Sequence, residues 1–281
     1  MNNLDQPIDR KEVASQGMRS SNVAKDDFGL NIPTELVPLP SKGIIYPEDS
    51  ALHCKDALEI RPMTAKDEDI LMSRAYIKKG IVINKLIESC LVDKSINVEE
   101  LIAGDKNALM VALRITGYGS EYVVDVTCPE CGSQNNYTFD LSSLPIKTLE
   151  VEPTSIGNNE FEVVLPVTKK TVCVKFLDGY DEKEMNIVNE RKKKSGIRNQ
   201  SSVTDRLKYA IISVDDIKDK NKISFFVKNM PVRDSLALRK FLDSQEPGVE
   251  MKSYYTCESC YEESEVDVPI TSQFFWPDAW I

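Results

Sequence analysis

Two short stretches decide how this chain folds: Cys128-Pro129-Glu130-Cys131, followed by Gly132, and Cys257-Glu258-Ser259-Cys260. Each stands between runs that alternate as strands do. Tyr122-Val123-Val124-Asp125-Val126 leads into the first and Tyr137-Thr138-Phe139-Asp140-Leu141 leaves it. Met251 to Tyr255 leads into the second and Glu265-Val266-Asp267-Val268 leaves it. Period-two alternation marks a half-buried strand, so each quartet reads as the turn of a hairpin. Two thiolates on one tight turn offer two soft ligands to a metal, and two such turns complete a tetrahedral site. The 125 residues between Cys131 and Cys257 far exceed the spacing of a contiguous zinc ribbon. The site therefore requires that distant parts of the chain meet.

Working outward from each hairpin, the same order of elements is read twice. In the first half, Ala57 to Met63 alternates as a strand and Thr64 caps a helix whose first turn holds Asp67, Glu68 and Asp69. Acidic groups there complement the helix dipole. That helix is expected to run to Lys78-Lys79-Gly80, with a second over 83–91 and a third over about 105–116. In the second half, Val172 to Phe176 is the strand, Asp178 takes the place of Thr64, and 231–242 is the helix before the hairpin. Thr64 to Asp178 is 114 positions and Cys128 to Cys257 is 129, so the second copy carries about 15 extra residues, expected at the polar run 191–200. The expected fold is α+β: two diverged strand–helices–hairpin pseudo-repeats joined through a shared, zinc-ribbon-like four-cysteine site. Its divisions are a disordered N-terminal arm (1–34), a first repeat (35–150), a second repeat (151–270) and an aromatic tail (271–281).

Composition narrows the chemistry. The 281 residues carry 35 Lys and Arg against 45 Asp and Glu, a net charge of −10, which disfavours broad phosphate-backbone binding. A single histidine, His53, leaves little for a Ser-His-Asp triad or a His-rich metal centre, and no glycine loop cradles phosphate. The opening residues do not read as a secretory signal, and no apolar run is long enough to span a membrane. With seven cysteines and no such signal, a secreted disulfide scaffold is disfavoured too. A small-molecule substrate finds no constellation to act on it.

The expected ligands are thus Cys128, Cys131, Cys257 and Cys260, binding one structural Zn2+ per chain. Four thiolates leave no open position for water, so the metal would stabilise and not catalyse. Iron–sulfur chemistry accepts the same donors. A thioredoxin-like redox pair is a weaker reading, because that motif opens a helix and these quartets join strands. The remaining feature is the C-terminus, Phe274-Phe275-Trp276-Pro277-Asp278-Ala279-Trp280-Ile281, which gathers both tryptophans. So much aromatic area is buried either on its own domain or in a partner's groove, and Phe274, Phe275, Trp276, Trp280 and Ile281 are the expected partner-binding residues.

An ordered series of motifs then points to a family: Leu39-Pro40-Ser41-Lys42-Gly43, Ile60-Arg61-Pro62-Met63-Thr64, Asp67-Glu68-Asp69-Ile70-Leu71, Gly104-Asp105-Lys106-Asn107-Ala108-Leu109, Gly117-Tyr118-Gly119 and Cys128-Pro129-Glu130-Cys131. Together they resemble the baseplate hub subunit family of T-even-type contractile-tailed phages, most strongly over about 36–140. The resemblance implies a non-enzymatic virion or assembly protein at the central hub, with other hub and tail proteins as partners. It implies a location in the host cytoplasm during assembly and then in the tail baseplate, and it carries over no catalytic residues. The alternative reading is a zinc-ribbon nucleic-acid-binding or transcription-associated protein, which the charge balance disfavours.

Overall fold

A computed structural model of the chain describes residues 23–25, 31–194, 203–270 and 274–275. Strands β1 (Val23–Lys25) and β2 (Asn31–Pro33) pair antiparallel, so the stretch expected as a disordered arm contains a short ladder; its other residues before Asn31 lie outside the described ones.

The first half opens with β3 (Glu35–Pro38) antiparallel to β4 (Ala57–Ile60). Helix α1 (Ala65–Met72) follows, with Thr64 as its cap and Thr64 N donating to Asp67 Oδ2 at 2.8 Å. The helix expected to reach Gly80 stops at Ser73, whose extended backbone both ends α1 and starts α2 (Arg74–Lys79). No residue of α2 is buried, so no packed face holds it in line with α1. Helix α3 (Val82–Cys90) buries the neighbours Leu86 and Ile87 and, a turn on, Cys90, worth roughly 1.5–3 kcal/mol for each large side chain. Leu91 then bridges Ile60 beside β4. Helix α4 (Ala103–Tyr118) leads to the hairpin β5 (Glu121–Thr127) with β6 (Gln134–Asp140), whose inward residues Tyr122, Val124 and Val126 alternate with exposed ones. Short β7 (Ile146–Lys147) closes this half.

The second half has β8 (Phe161–Val164), β9 (Thr171–Val174), helix α5 (Gly179–Lys194), α6 (Val203–Ala210) and β10 (Ile211–Val214), with sheet order β10-β9-β8. Helices α7 (Lys220–Asn229) and α8 (Val232–Gln245) precede β11 (Gly248–Val249) and the hairpin β12 (Lys252–Thr256) with β13 (Glu263–Asp267).

Particular contacts recur in the two halves. Arg61 N donates to Cys90 O at 2.9 Å, and Lys175 N to Ala210 O at 2.8 Å. The Arg61–Asp67 ion pair beneath the first helix N-terminus is matched by Lys175–Asp181, each residue 114 positions further on. The third residue of α4, Asp105, accepts from Ser41 N at 2.9 Å, and the third residue of α8, Asp234, accepts from Val167 N at 2.7 Å. Both carboxylates are fully buried. The extra length of the second half is only partly at 191–200. Where α7 stands, the first half has no more than a single 3-10 turn, Val98–Glu100.

The halves share one hydrophobic core. Strand β11 pairs with β7, Gly248 opposite Lys147, and Ile102 bridges Asp178, so backbone hydrogen bonds cross between them. Gly104 lies against this crossing: a Cβ on it would stand 1.7 Å from the Pro247 carbonyl oxygen.

Candidate metal centre

Each knuckle is held open by its own backbone. Cys128 N donates to Ser133 O at 2.8 Å and Gly132 N to Cys128 O at 3.0 Å. In the second knuckle Cys257 N donates to Glu262 O at 3.0 Å and Tyr261 N to Cys257 O at 2.9 Å. The fifth residue of each turn is left-handed, Gly132 at φ 73° and Tyr261 at φ 61°. Glycine adopts that conformation freely and tyrosine does so at a cost.

Aromatic rings bring the hairpins together. Tyr137 of β6 meets Tyr255 of β12 edge-on at 5.1 Å, and Tyr137 also meets Phe139 at 4.9 Å. The four sulfurs then converge within 4.8 Å of one another. Cys128 Sγ lies 3.8 Å from Cys260 Sγ, and Cys131 Sγ lies 3.7 Å from Cys257 Sγ, so the close pairs join the two hairpins. All four are free thiols. A tetrahedron with metal–sulfur bonds of ~2.3 Å has edges of about 3.8 Å, which the cross-hairpin separations match. Cys128 and Cys257 are buried, Cys260 is half-buried and Cys131 is exposed. Among the described residues, no other group of three or more His, Cys, Asp or Glu side chains converges in this way.

The surroundings favour thiolate at two of the positions. The Ser133 hydroxyl, 3.4 Å from Cys257 Sγ, leads the effects that bring the Cys257 pKa down to about 4 against the cost of burial. Ser133 also lowers Cys131, its Oγ lying 3.0 Å from that sulfur. At Cys260 the Glu262 amide pulls downward, but burial and the three neighbouring sulfurs outweigh it and push the thiol up to about 12. Crowded sulfurs that resist joint ionisation are the donor set a divalent cation relieves.

A supporting layer escaped the sequence reading. Asn135 Nδ2 of β6 lies 2.6 Å from Tyr255 Oη and 3.4 Å from Cys257 Sγ, so a side chain of the first hairpin orients the second knuckle. Its one signal was an Asn pair, Asn135-Asn136, in a strand, where Asn is depleted.

The aromatic tail divides. Phe274 and Phe275 are buried in the chain's own core, Phe274 edge-on to Tyr122 at 5.3 Å and to Phe275 at 5.1 Å. Tyr122 Oη donates to Pro269 O at 2.7 Å and fastens the approach. These two rings are internal anchors, which corrects their expected role as docking groups: they find apolar surface on β5. Trp276, Trp280 and Ile281 lie outside the described residues. His53 Nδ1 donates to the Tyr46 carbonyl at 2.6 Å and is satisfied there, while Cys90 is buried as a small hydrophobe. No helix among the described residues is long and apolar enough to cross a membrane.

Fold and site thus define an α+β protein in which two distant hairpins bring four cysteines together. The chain belongs to the family described as T4 bacteriophage base plate protein, whose model matches residues 39–276. It is a structural component of a phage baseplate, among other baseplate proteins. No curated protein and no solved structure matches the chain.

Proposed function

We propose that this protein is a non-enzymatic structural or assembly component of the central hub of the tail baseplate, built as two diverged repeats and stapled by one structural zinc. The observation that carries the reading is the meeting of Cys128, Cys131, Cys257 and Cys260, two from each hairpin, at tetrahedral spacing. Zinc supplies four coordinate bonds across the junction and no reactive position. Cys128 and Cys131 hold it from the first hairpin, Cys257 and Cys260 from the second, with Ser133 and Asn135 aligning Cys257. The recurring ion pairs, caps and buried aspartates support repeats over 35–150 and 151–270. The protein acts in the host cytoplasm during assembly and then in the virion tail. Trp276, Trp280 and Ile281 are its docking groups for other hub and tail proteins.

Elemental analysis of protein purified without chelator, beside a Cys257→Ser variant, tests the centre. The expected result is one zinc per chain, lost in the variant together with most of the thermal stability, since a structural zinc contributes on the order of 10 kcal/mol. Metal content unchanged by the substitution would refute the shared site. For the hub role, a chain ending at Phe275 should fold and bind zinc but no longer co-purify with hub proteins from infected cells. Undiminished co-purification would dismiss the tail as the docking group.

A further inference from the structure

Helices α7 and α8 each bury one stripe and leave the other uncovered. On α7, Ile223 and Val227 point inward while Lys222, Phe225 and Lys228 face solvent, with Phe225 71% exposed. On α8, Asp234, Leu238 and Leu242 point inward, and Val232, Leu236 and Lys240 recur outward at four-residue spacing, with Val232 80% exposed. Residues 217–242 hold seven Lys and Arg against two Asp, a local charge of +5 in a chain of −10. Lys222, Lys228 and Lys240 make no ion pair with any described residue. Exposed rings and aliphatic groups ringed by unpaired cations have the composition of an interface core with a charged rim.

The complement is present on the same chain. Residues 254–267, the second knuckle and its flanks, hold four Glu and one Asp and no Lys or Arg, a local charge of −5. Glu258, Glu262 and Glu263 are exposed, and Tyr254 and Tyr261 stand 66% and 82% exposed among them. Opposite charge, equal in size, and apolar groups at both centres suit the two patches to each other. Among the described residues neither patch is covered, and only Glu265 of the acidic one is paired, with Lys252. We infer that the outward face of α7 and α8 docks a second copy of this protein, receiving the acidic, tyrosine-bearing tip of that copy's second hairpin. Such a contact joins two different patches, so it is head-to-tail and extends to rings or rows of subunits.

Sedimentation velocity of the full-length, metal-replete protein tests this with two charge-reversal variants. One carries Lys222→Glu, Lys228→Glu and Lys240→Glu; the other carries Glu258→Lys and Glu263→Lys. The native chain is expected to self-associate with rising concentration and to dissociate as salt is added. Each variant alone should be monomeric with native melting temperature and metal content. Mixed, the two retain one intact helix face and one intact tip, and their reversed patches are again opposite in charge, so the mixture should associate once more. Phe225→Asp in the native background should raise the dissociation constant about tenfold or more. A native chain that stays monomeric at low salt overturns the inference, as does a mixture that stays monomeric while the native chain associates. Capture of an acidic hub protein on α7 and α8 by a monomeric chain would likewise replace the second copy with that partner.

Discussion

Helices α4 and α8 begin alike and end up in opposite situations. Each carries an aspartate at its third position that is buried and accepts backbone N–H groups from the loop after a strand, Ser41 in one case and Val167 with Thr168 in the other. Each leads into a cysteine hairpin. Yet α4 is buried nearly all round, at Gly104, Asp105, Lys106, Ala108, Leu109, Met110, Val111, Leu113 and Arg114, while α8 buries only Asp234, Leu238 and Leu242. The difference is what covers them. Strands β11 and β7 cross the outer face of α4, and among the described residues nothing equivalent lies on α8, where Val232 and Leu236 are exposed. One helix serves the protein's own junction, and its counterpart offers the same kind of face outward. On the proposed docking of α8, that is a division of labour between holding together and holding on.

The most severe test of that contrast is a methyl group at the two matched positions. Gly104→Ala places a Cβ 1.7 Å from a backbone carbonyl oxygen that cannot move without separating β11 from β7. The expected cost is more than about 3 kcal/mol, with a broadened or lost thermal transition. Arg233→Ala, at the exposed counterpart on α8, should change stability by no more than about 0.5 kcal/mol. Equal melting temperatures for the two variants would show that the crossing strands do not seal α4.

Much of this was legible in the chain itself. The hairpins announce themselves because one face is buried and the other wet, which forces alternation at Tyr122, Val124 and Val126. Convergence of the cysteines was legible only through the recurrence of elements, since 125 intervening residues carry no spacing signal. Helix α7 was missed because only Ile223 and Val227 of its ten residues are buried, too narrow a stripe to register as a period. The break at Ser73 follows from the absence of any buried residue on α2, which local propensity does not encode. Phe274 and Phe275 were readable as buried, but composition does not say against what; the partner is Tyr122, some 150 residues earlier.

A smaller effect distinguishes the two capping ion pairs. Arg61 reaches both oxygens of Asp67, at 2.7 and 3.0 Å, and Ser89 Oγ donates to the same carboxylate at 2.6 Å. Lys175 meets Asp181 through a single ammonium contact of 2.6 Å. Burial works to raise the Asp67 pKa, but the bonds from Arg61, Ser89 and Thr64 prevail and hold it well below the usual carboxylate range. A carboxylate lowered in the folded state contributes its stability above the unfolded value of about 4, and that contribution is lost as the pH falls below it. Asp67→Asn should cost about 2 kcal/mol at neutral pH, the cost falling as the solution is acidified, and Asp181→Asn less than about 1 kcal/mol. Urea titrations at pH 7 and pH 3 measure both. An Asp67→Asn penalty as large at pH 3 as at pH 7 would mean that the carboxylate charge is not what Arg61 recognises.

The smallest expected effect lies at the knuckles, where the matched turns differ by one residue type. Gly132 and Tyr261 occupy the same left-handed position, one at no steric cost and the other strained by its Cβ. Adding a Cβ at Gly132 meets no atom within 4 Å, so Gly132→Ala isolates the backbone penalty and should destabilise by about 1 kcal/mol. Tyr261→Gly relieves strain but also frees the unfolded chain, so its net gain should be no more than about 0.5 kcal/mol. A structure indifferent to glycine at 261 has no reason of stability to keep tyrosine there. The side chain is 82% exposed. If Tyr261→Gly leaves the melting temperature level or higher while weakening self-association, the tyrosine is retained for contact, and the two knuckles repeat the division between α4 and α8. A clear drop in melting temperature would instead make Tyr261 part of the hairpin's own support and remove it from the docking tip.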